Sequence, residues 1–373
     1  MNYIIDQEQI VKLFMDMACI STPSFYEKPL MNFIETYLQN KKVEIKRIPY
    51  THSNGLSSEN MIIRMPATNP SKKGIFFDAH ADTVNPCKDI KPVIDGDIIR
   101  SSQNSVLGAD DKCGIASMLV AIETILTNNI AHGELLFIIS SAEEVGLVGV
   151  KYIPQAIFQG IDYGVILDSG GPVGSINLKA PFHYTYTITI LGKAAHAAIA
   201  PEVGINAIQI AADLIKDLPS GRISEDTVCN IGLIEGGSGR NVVPERVVIT
   251  GEFRSIVDAK CVPIHQQVLQ AVANHKDKAV DIICDIQKSC VGYNFDQSAE
   301  FIQFIAQGLS NIGITPKYEE SCGGTNANVY STTGILSTVI SVGMEDIHSV
   351  NEYIRIKDLI DTTRLIVNLV EIA

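Results

Sequence analysis

Chemistry in this chain concentrates at five short places. His80 and Asp82 stand two residues apart in HAD, Asp110 and Asp111 adjoin in GADDKCG, and Glu143 and Glu144 adjoin in SAEEVG. Asp168 closes GVILD, and His348 lies in IHSVNE. Imidazoles and carboxylates are the hard and borderline donors that suit Zn²⁺ or Mn²⁺. Taken singly, each residue has a plainer role. An aspartate before a helix is commonly an N-cap, paired glutamates commonly mark a solvated turn, and a lone histidine is commonly just hydrogen-bonded. Taken together, they read as one hydrolytic metal site. Such a site can lower the pKa of a bound water and so prepare it as a nucleophile.

The surrounding elements account for the grouping. GIFFDAH, ELLFIIS and YGVILD are short, nearly continuous apolar runs, as buried strands require. Between the first two, Ile115, Met118, Leu119, Ile122, Ile125 and Leu126 recur at helical spacing. Strand, helix, strand in this order predicts an α/β fold, a mostly parallel sheet with helices on both faces. Ligands of such sheets bind beyond the carboxyl ends of the strands. Four of the five places lie just past such an end, and the fifth opens the connecting helix. Adjacent strand residues point to opposite faces. Glu143 and Glu144 can therefore share a site only if the strand ends or bends at Ser140–Ser141–Ala142.

From about Leu178 the pattern changes to β-α-β-β-α-β, the order of a small ferredoxin-like α+β unit. After about Gly292 a helix, the strand TVISVG and the closing helix KDLIDTTRLIVNLVEI resume the first pattern. The organisation expected is a discontinuous catalytic domain, residues 1–178 and 292–373, interrupted by a lid or dimerisation domain at 179–291.

Composition excludes several classes. The net charge is −13, from 42 acidic and 29 basic residues, which disfavours nucleic-acid binding. There is no run long and apolar enough for a membrane span and no leader pattern at the N-terminus. The eight cysteines include no CxxC pair, which fits reduced thiols in a cytoplasmic protein.

The segments HADTV, GADDKCG, SAEEVGLVG, LDSGG and IHSVNE resemble the signatures of the dizinc peptidase family of carboxypeptidases, aminoacylases and peptidase T. GKAAHAAIAPEVGINAI resembles its lid motif, and GGTNANVY points to the peptidase T-like branch. The resemblance runs from the N-terminal helix to the C-terminus. It implies two Zn²⁺ per chain, with Mn²⁺ or Co²⁺ as substitutes. His80 and Asp168 would hold one metal, Glu144 and His348 the other, and Asp110 would bridge them. Asp82 would accept the second ring N–H of His80, Glu143 would be the general base, and the Asp110–Asp111 peptide would be cis.

His196 would stabilise an oxyanion from the lid, often in the neighbouring subunit. Arg254 and Asn241 would contact substrate from the lid, and Gly323 and Gly324 would offer backbone N–H groups to it. The partners implied are short peptides and a second copy of the chain, joined through the lid. Two departures stand out. The family's tripeptidases carry arginine before GGTD, where this chain has Cys322, and their aspartate is Asn326 here. The expected activity is aminopeptidase-like. N-acyl-amino-acid hydrolysis or carboxypeptidase action is a second reading, and a non-catalytic metal- or peptide-binding relative a third.

Overall fold

A computed structural model describes residues 3–321 and 323–373. The chain divides into two compact units. The larger comprises Met1–Leu178, Phe295–Glu320 and Thr325–Ala373, and the smaller Lys179–Asn294 and Ser321–Gly324.

In the larger unit a sheet runs in the order Glu44–Thr51, Ser57–Met65, Leu135–Ser140, Ile75–His80, Tyr163–Ser169, Leu336–Ser341, Ser175–Ala180. The four strands from Leu135–Ser140 to Leu336–Ser341 are mutually parallel, so their carboxyl ends share one edge. The outer pairings are antiparallel. The first two strands of this order were not read from the sequence. The Glu44–Thr51 strand is half exposed and breaks its apolar pattern with charges such as Lys46 and Arg47. A second, small antiparallel sheet joins Met344–Glu345, Tyr353–Arg355, Ile98–Ser101 and Pro92–Asp95.

Both central runs, Ile75–His80 and Leu135–Ser140, are buried along their whole length. A sheet covered on both faces demands this. One face carries helices Gln7–Ala18, Ala109–Thr127, Glu300–Asn311 and Ile356–Ile372, which close the main core with Phe77, Phe137, Val165 and Leu167. The other face packs Phe76 against Phe158 and Tyr330. Helix Ala109–Thr127 is apolar nearly all round because it is buried nearly all round. Its Gly114 permits the close approach, since a Cβ there would lie 2.5 Å from Asp111 Oδ1 and 3.0 Å from the Ala79 Cβ.

The smaller unit is an antiparallel sheet ordered Gly221–Ser224, Thr227–Gly236, Arg246–Ser255, Phe182–Leu191, Asp281–Cys290. Helices Ala207–Asp217 and Asp258–His275 enclose its own core with Ile188, Ile190, Val247, Ile249 and Phe253. This is the ferredoxin-like arrangement, with Gly221–Ser224 added at one edge. Among the described helices none is long and apolar enough to cross a membrane.

Phe77 is fully buried and stacks on Phe137 with ring centroids 5.5 Å apart. Phe77→Ala is expected to destabilise the larger unit by about 3–5 kcal/mol, read as a lower urea midpoint at unchanged slope.

Candidate dinuclear metal site

The parallel strands deliver their residues to one edge. His80 is the last residue of its strand, Asp168 the last but one of its own, and Glu143 and Glu144 come three and four residues after Ser140, the end of theirs. His348 lies in the connection between Met344–Glu345 and Tyr353–Arg355. It adopts the left-handed region at φ 62°, as do Asp346 at 52° and Ala142 at 49°. Such geometry is uncommon outside glycine and collects at functional sites. The Asp110–Asp111 peptide is cis, as the family resemblance implies.

Asp110 stands between the two histidines. Its Oδ1 is 3.0 Å from His80 Nε2, and its Oδ2 is 3.1 Å from His348 Nε2. Asp168 Oδ1 lies 3.6 Å from His80 Nε2, and Glu144 Oε2 lies 3.1 Å from His348 Nε2. Two donor triads result, His80–Asp110–Asp168 and Asp110–Glu144–His348, each with its ligand atoms within 4.8 Å of one another. They have Asp110 in common.

The ring orientation of His80 comes from the main chain. Nδ1 bonds the carbonyl oxygen of Asp82 at 2.9 Å, whereas the Asp82 carboxylate expected as partner is 3.5 Å away. Either acceptor leaves Nε2 free to bind a cation. The Asp82 carboxylate instead accepts the N–H groups of Glu143 at 2.9 Å and Glu144 at 3.1 Å, and the Ser24 hydroxyl at 2.7 Å. Asp111 turns away from the triads. Its Oδ2 accepts the His80 N–H at 3.2 Å and its Oδ1 the Gly114 N–H at 3.3 Å. It thereby caps the helix that Asp110 opens.

Glu352 was missed in the sequence. Its buried carboxylate accepts three N–H groups, from Leu107, Gly108 and Asp110, at 2.8, 2.7 and 2.9 Å. It holds the segment that presents Asp110, with Gly108 in the left-handed region at φ 74°. The only available signal was its place in IHSVNE, four residues after His348.

Charge in this crevice is unbalanced. Six carboxyl groups (Asp82, Asp110, Asp111, Glu143, Glu144 and Asp168) surround two imidazoles. Burial, reinforced by the charge of Asp168, pushes Glu143 well above the ordinary carboxylate range. Burial also pushes Asp168 up to about 7, against the pull of His80. Burial works to raise Asp110 too, but hydrogen bonds with His348 and His80 outweigh it and hold this carboxyl down. Burial disfavours a charged His80, yet Asp110, Asp168 and Asp82 draw its pKa well up. Asp110 and Glu144 raise His348 to about 10. A buried excess of negative charge needs compensating cations. This donor set fits two divalent ions.

Beneath the site, Asp78 is fully buried. It accepts hydrogen bonds from Asn326 Nδ2 and the Tyr330 hydroxyl, both at 2.8 Å. Asn326 Nδ2 also reaches Ser140 Oγ at 2.7 Å. Asn326 is thus a buried donor, and its replacement of the family's aspartate acts inside the protein. Cys322 lies outside the described residues.

The remaining candidates belong to the smaller unit. His196 is exposed and pairs with Val242 in an isolated antiparallel bridge. Asn241 is exposed, and its carbonyl accepts the Ala197 N–H at 3.0 Å. The Arg254 guanidinium forks onto Glu252 at 3.1 and 3.0 Å, and His183 binds the same carboxylate at 2.8 Å. Gly323 donates its N–H to Ser321 Oγ at 3.0 Å, and Gly324 is half-buried.

A parallel α/β sheet with two carboxylate–histidine triads at its carboxyl edge is the frame of a two-metal hydrolase. Comparison with known proteins narrows the class. The peptidase dimerisation domain matches residues 183–281, and peptidase family M28 matches residues 60–211. The protein YqjE of Bacillus subtilis is 32% identical over 372 residues, 99% of both chains. Aminopeptidase PepT of Bacillus cereus is 34% identical, with a TM-score of 0.84 over 98% of both chains. A Staphylococcus aureus tripeptidase is 27% identical, with a TM-score of 0.86 over 99% of both. The chain belongs to the peptidase T-like family of metallopeptidases.

Two outcomes follow from this geometry. The neighbouring carboxylates draw the pKa values of His80 and His348 upward, so metal binding must compete with protons on both imidazoles. Affinity is expected to rise with pH, with a net release of protons from His80, His348 and part of Asp168 on binding at pH 7. Calorimetry in buffers of different ionisation enthalpy measures this. Glu352→Ala is expected to weaken metal binding about 10–100-fold, as measured by chelator competition.

Proposed function

We propose that this chain is a two-metal aminopeptidase of short peptides, with Zn²⁺ as the resident ion and Mn²⁺ or Co²⁺ able to replace it. The observation that carries the reading is the single carboxylate of Asp110, which offers one oxygen to each histidine. His80 and Asp168 would hold one ion, Glu144 and His348 the other, and Asp110 both. Each ion then has three protein ligands and an open position, the catalytic arrangement. When bound, the pair supplies Lewis-acid polarisation of the scissile carbonyl and a water acidified towards neutral pH.

The protein's own part is proton transfer and placement. Glu143 takes the proton of the attacking water and delivers it to the departing amine. Its burial beside the triads, at the end of the bend after Ser140, supports this. His196 is assigned to the oxyanion, with Asn241, Gly323 and Gly324 as substrate contacts. Arg254 would have to exchange Glu252 for a substrate carboxylate to join them. A homodimer formed through the smaller unit and a cytoplasmic setting complete the proposal.

Glu143→Gln should retain both metals and lose about 10²–10⁴-fold in kcat. Near-normal turnover would remove Glu143 from the role. Metal-loaded protein should cleave free-amine di- and tripeptides in preference to their N-acylated forms, and chelator should abolish this. The reverse preference would establish an N-acyl-amino-acid hydrolase. Stoichiometric metal binding without cleavage of either would establish a binding protein.

A further inference from the structure

Glu27 stands at the N-cap of helix Lys28–Leu38, where a carboxylate commonly bonds the first turn, yet its side chain makes no capping bond. The side chain crosses to the end of the Leu135–Ser140 strand instead. Oε1 accepts the Ala142 N–H at 2.9 Å and the Phe25 N–H at 2.8 Å, while Oε2 accepts the Ser58 hydroxyl at 2.6 Å. The residue is fully buried. Burial, reinforced by the charge of Asp82, pushes its carboxyl above the ordinary range, and its hydrogen bonds pull the other way.

The place where Glu27 arrives is the bend that lets two adjacent glutamates face one site. Ala142 occupies the left-handed region at φ 49°, a conformation that costs a non-glycine residue about 1–2 kcal/mol. Asp82 takes the next two N–H groups, those of Glu143 and Glu144. Three consecutive amides are thus held by two buried carboxylates. The segment carrying Glu27 is itself tied to the site's other loops. Ile20 O accepts Lys112 Nζ at 2.8 Å, Thr22 O accepts the Thr83 N–H at 2.8 Å, and Ser24 Oγ donates to Asp82 at 2.7 Å.

We propose that Glu27 is a positioning residue for Glu143: it fixes the left-handed turn at Ala142 and so sets the direction of the base. The proposal rests on the reading of Glu143 as base. Glu27 touches neither the donor triads nor the reacting atoms, and acts through the main chain.

Three variants test it, each saturated with metal. Glu27→Ala should lower kcat about 100-fold, the scale of a displaced catalytic group, with KM and metal stoichiometry little changed. Glu27→Gln should recover most of the loss, because its amide oxygen accepts both N–H groups and its NH₂ can face Ser58. Ser58→Ala, which removes one donor and leaves the core intact, should lose severalfold in the same sense.

Two further readouts separate positioning from general damage. In the Glu143→Gln background, Glu27→Ala should cost less than about twofold, since groups acting through one another are non-additive. In hydrogen exchange of the metal-free protein, Glu27→Ala should deprotect residues 141–146 while the Ile75–His80 strand stays protected. Unchanged exchange at 141–146, or a full additional loss in the Glu143→Gln background, overturns the proposal, as does loss of protection throughout the larger unit with Ser58→Ala at wild-type activity. If Glu143→Gln alone is fully active, the base assignment falls and the claim that Glu27 positions a base falls with it. The exchange result then still reports whether Glu27 holds the turn.

Discussion

Repulsion among buried carboxylates governs this structure. Two unit charges a few ångströms apart interact far more strongly in a protein interior than in water, and here Asp110, Asp168, Glu143 and Glu144 crowd the same desolvated edge. Among the described residues, two histidines, His80 and His348, are within reach to offset them. A crevice so charged is stable when cations occupy it or when protons do. The high pKa values of Asp168, His80 and His348 are the proton-bearing form of that balance. Metal affinity and proton affinity therefore compete for the same atoms.

A second set of carboxylates resolves its charge differently. Glu27, Asp82, Asp111 and Glu352 are all buried, and all four accept main-chain N–H groups. The amides they hold belong to the residues that carry the inner set: Ala142 to Glu144, His80 and Asp110. The site is thus two nested layers of acid. The inner layer faces the proposed cations, and the outer layer fixes the loops that aim it. Backbone dipoles fixed in folding can do this without reorganising during a reaction, which is what a catalytic site requires.

The floor of the site bears on how this chain differs from its tripeptidase relatives. Asn326 presents its NH₂ to Asp78 and Ser140 under the His80 strand. An aspartate there would face Asp78 across a buried contact, and one of the two would have to hold a proton. The asparagine lets Asp78 accept from a neutral donor. Asn326 thus supports the His80 and Leu135–Ser140 strands from below.

The α/β class, the small α+β unit and the grouping of His80, Asp110, Glu143, Glu144, Asp168 and His348 were all legible in the chain. Buried parallel strands are written as unbroken apolar runs, and the residues just beyond their ends share an edge by topology alone. The antiparallel hairpin Glu44–Met65 was not legible, because half-exposed strands with charged residues give no clean period. Neither were the roles of Glu27 and Glu352. A carboxylate that accepts an amide 115 residues away leaves no local pattern, and Glu27 sits where a helix cap would be expected. Local sequence thus specified which groups would gather at the edge, since composition and period are properties of a segment. The aim of those groups depended on long-range hydrogen bonds from buried acids to main-chain amides, and these exist only after the chain has closed on itself.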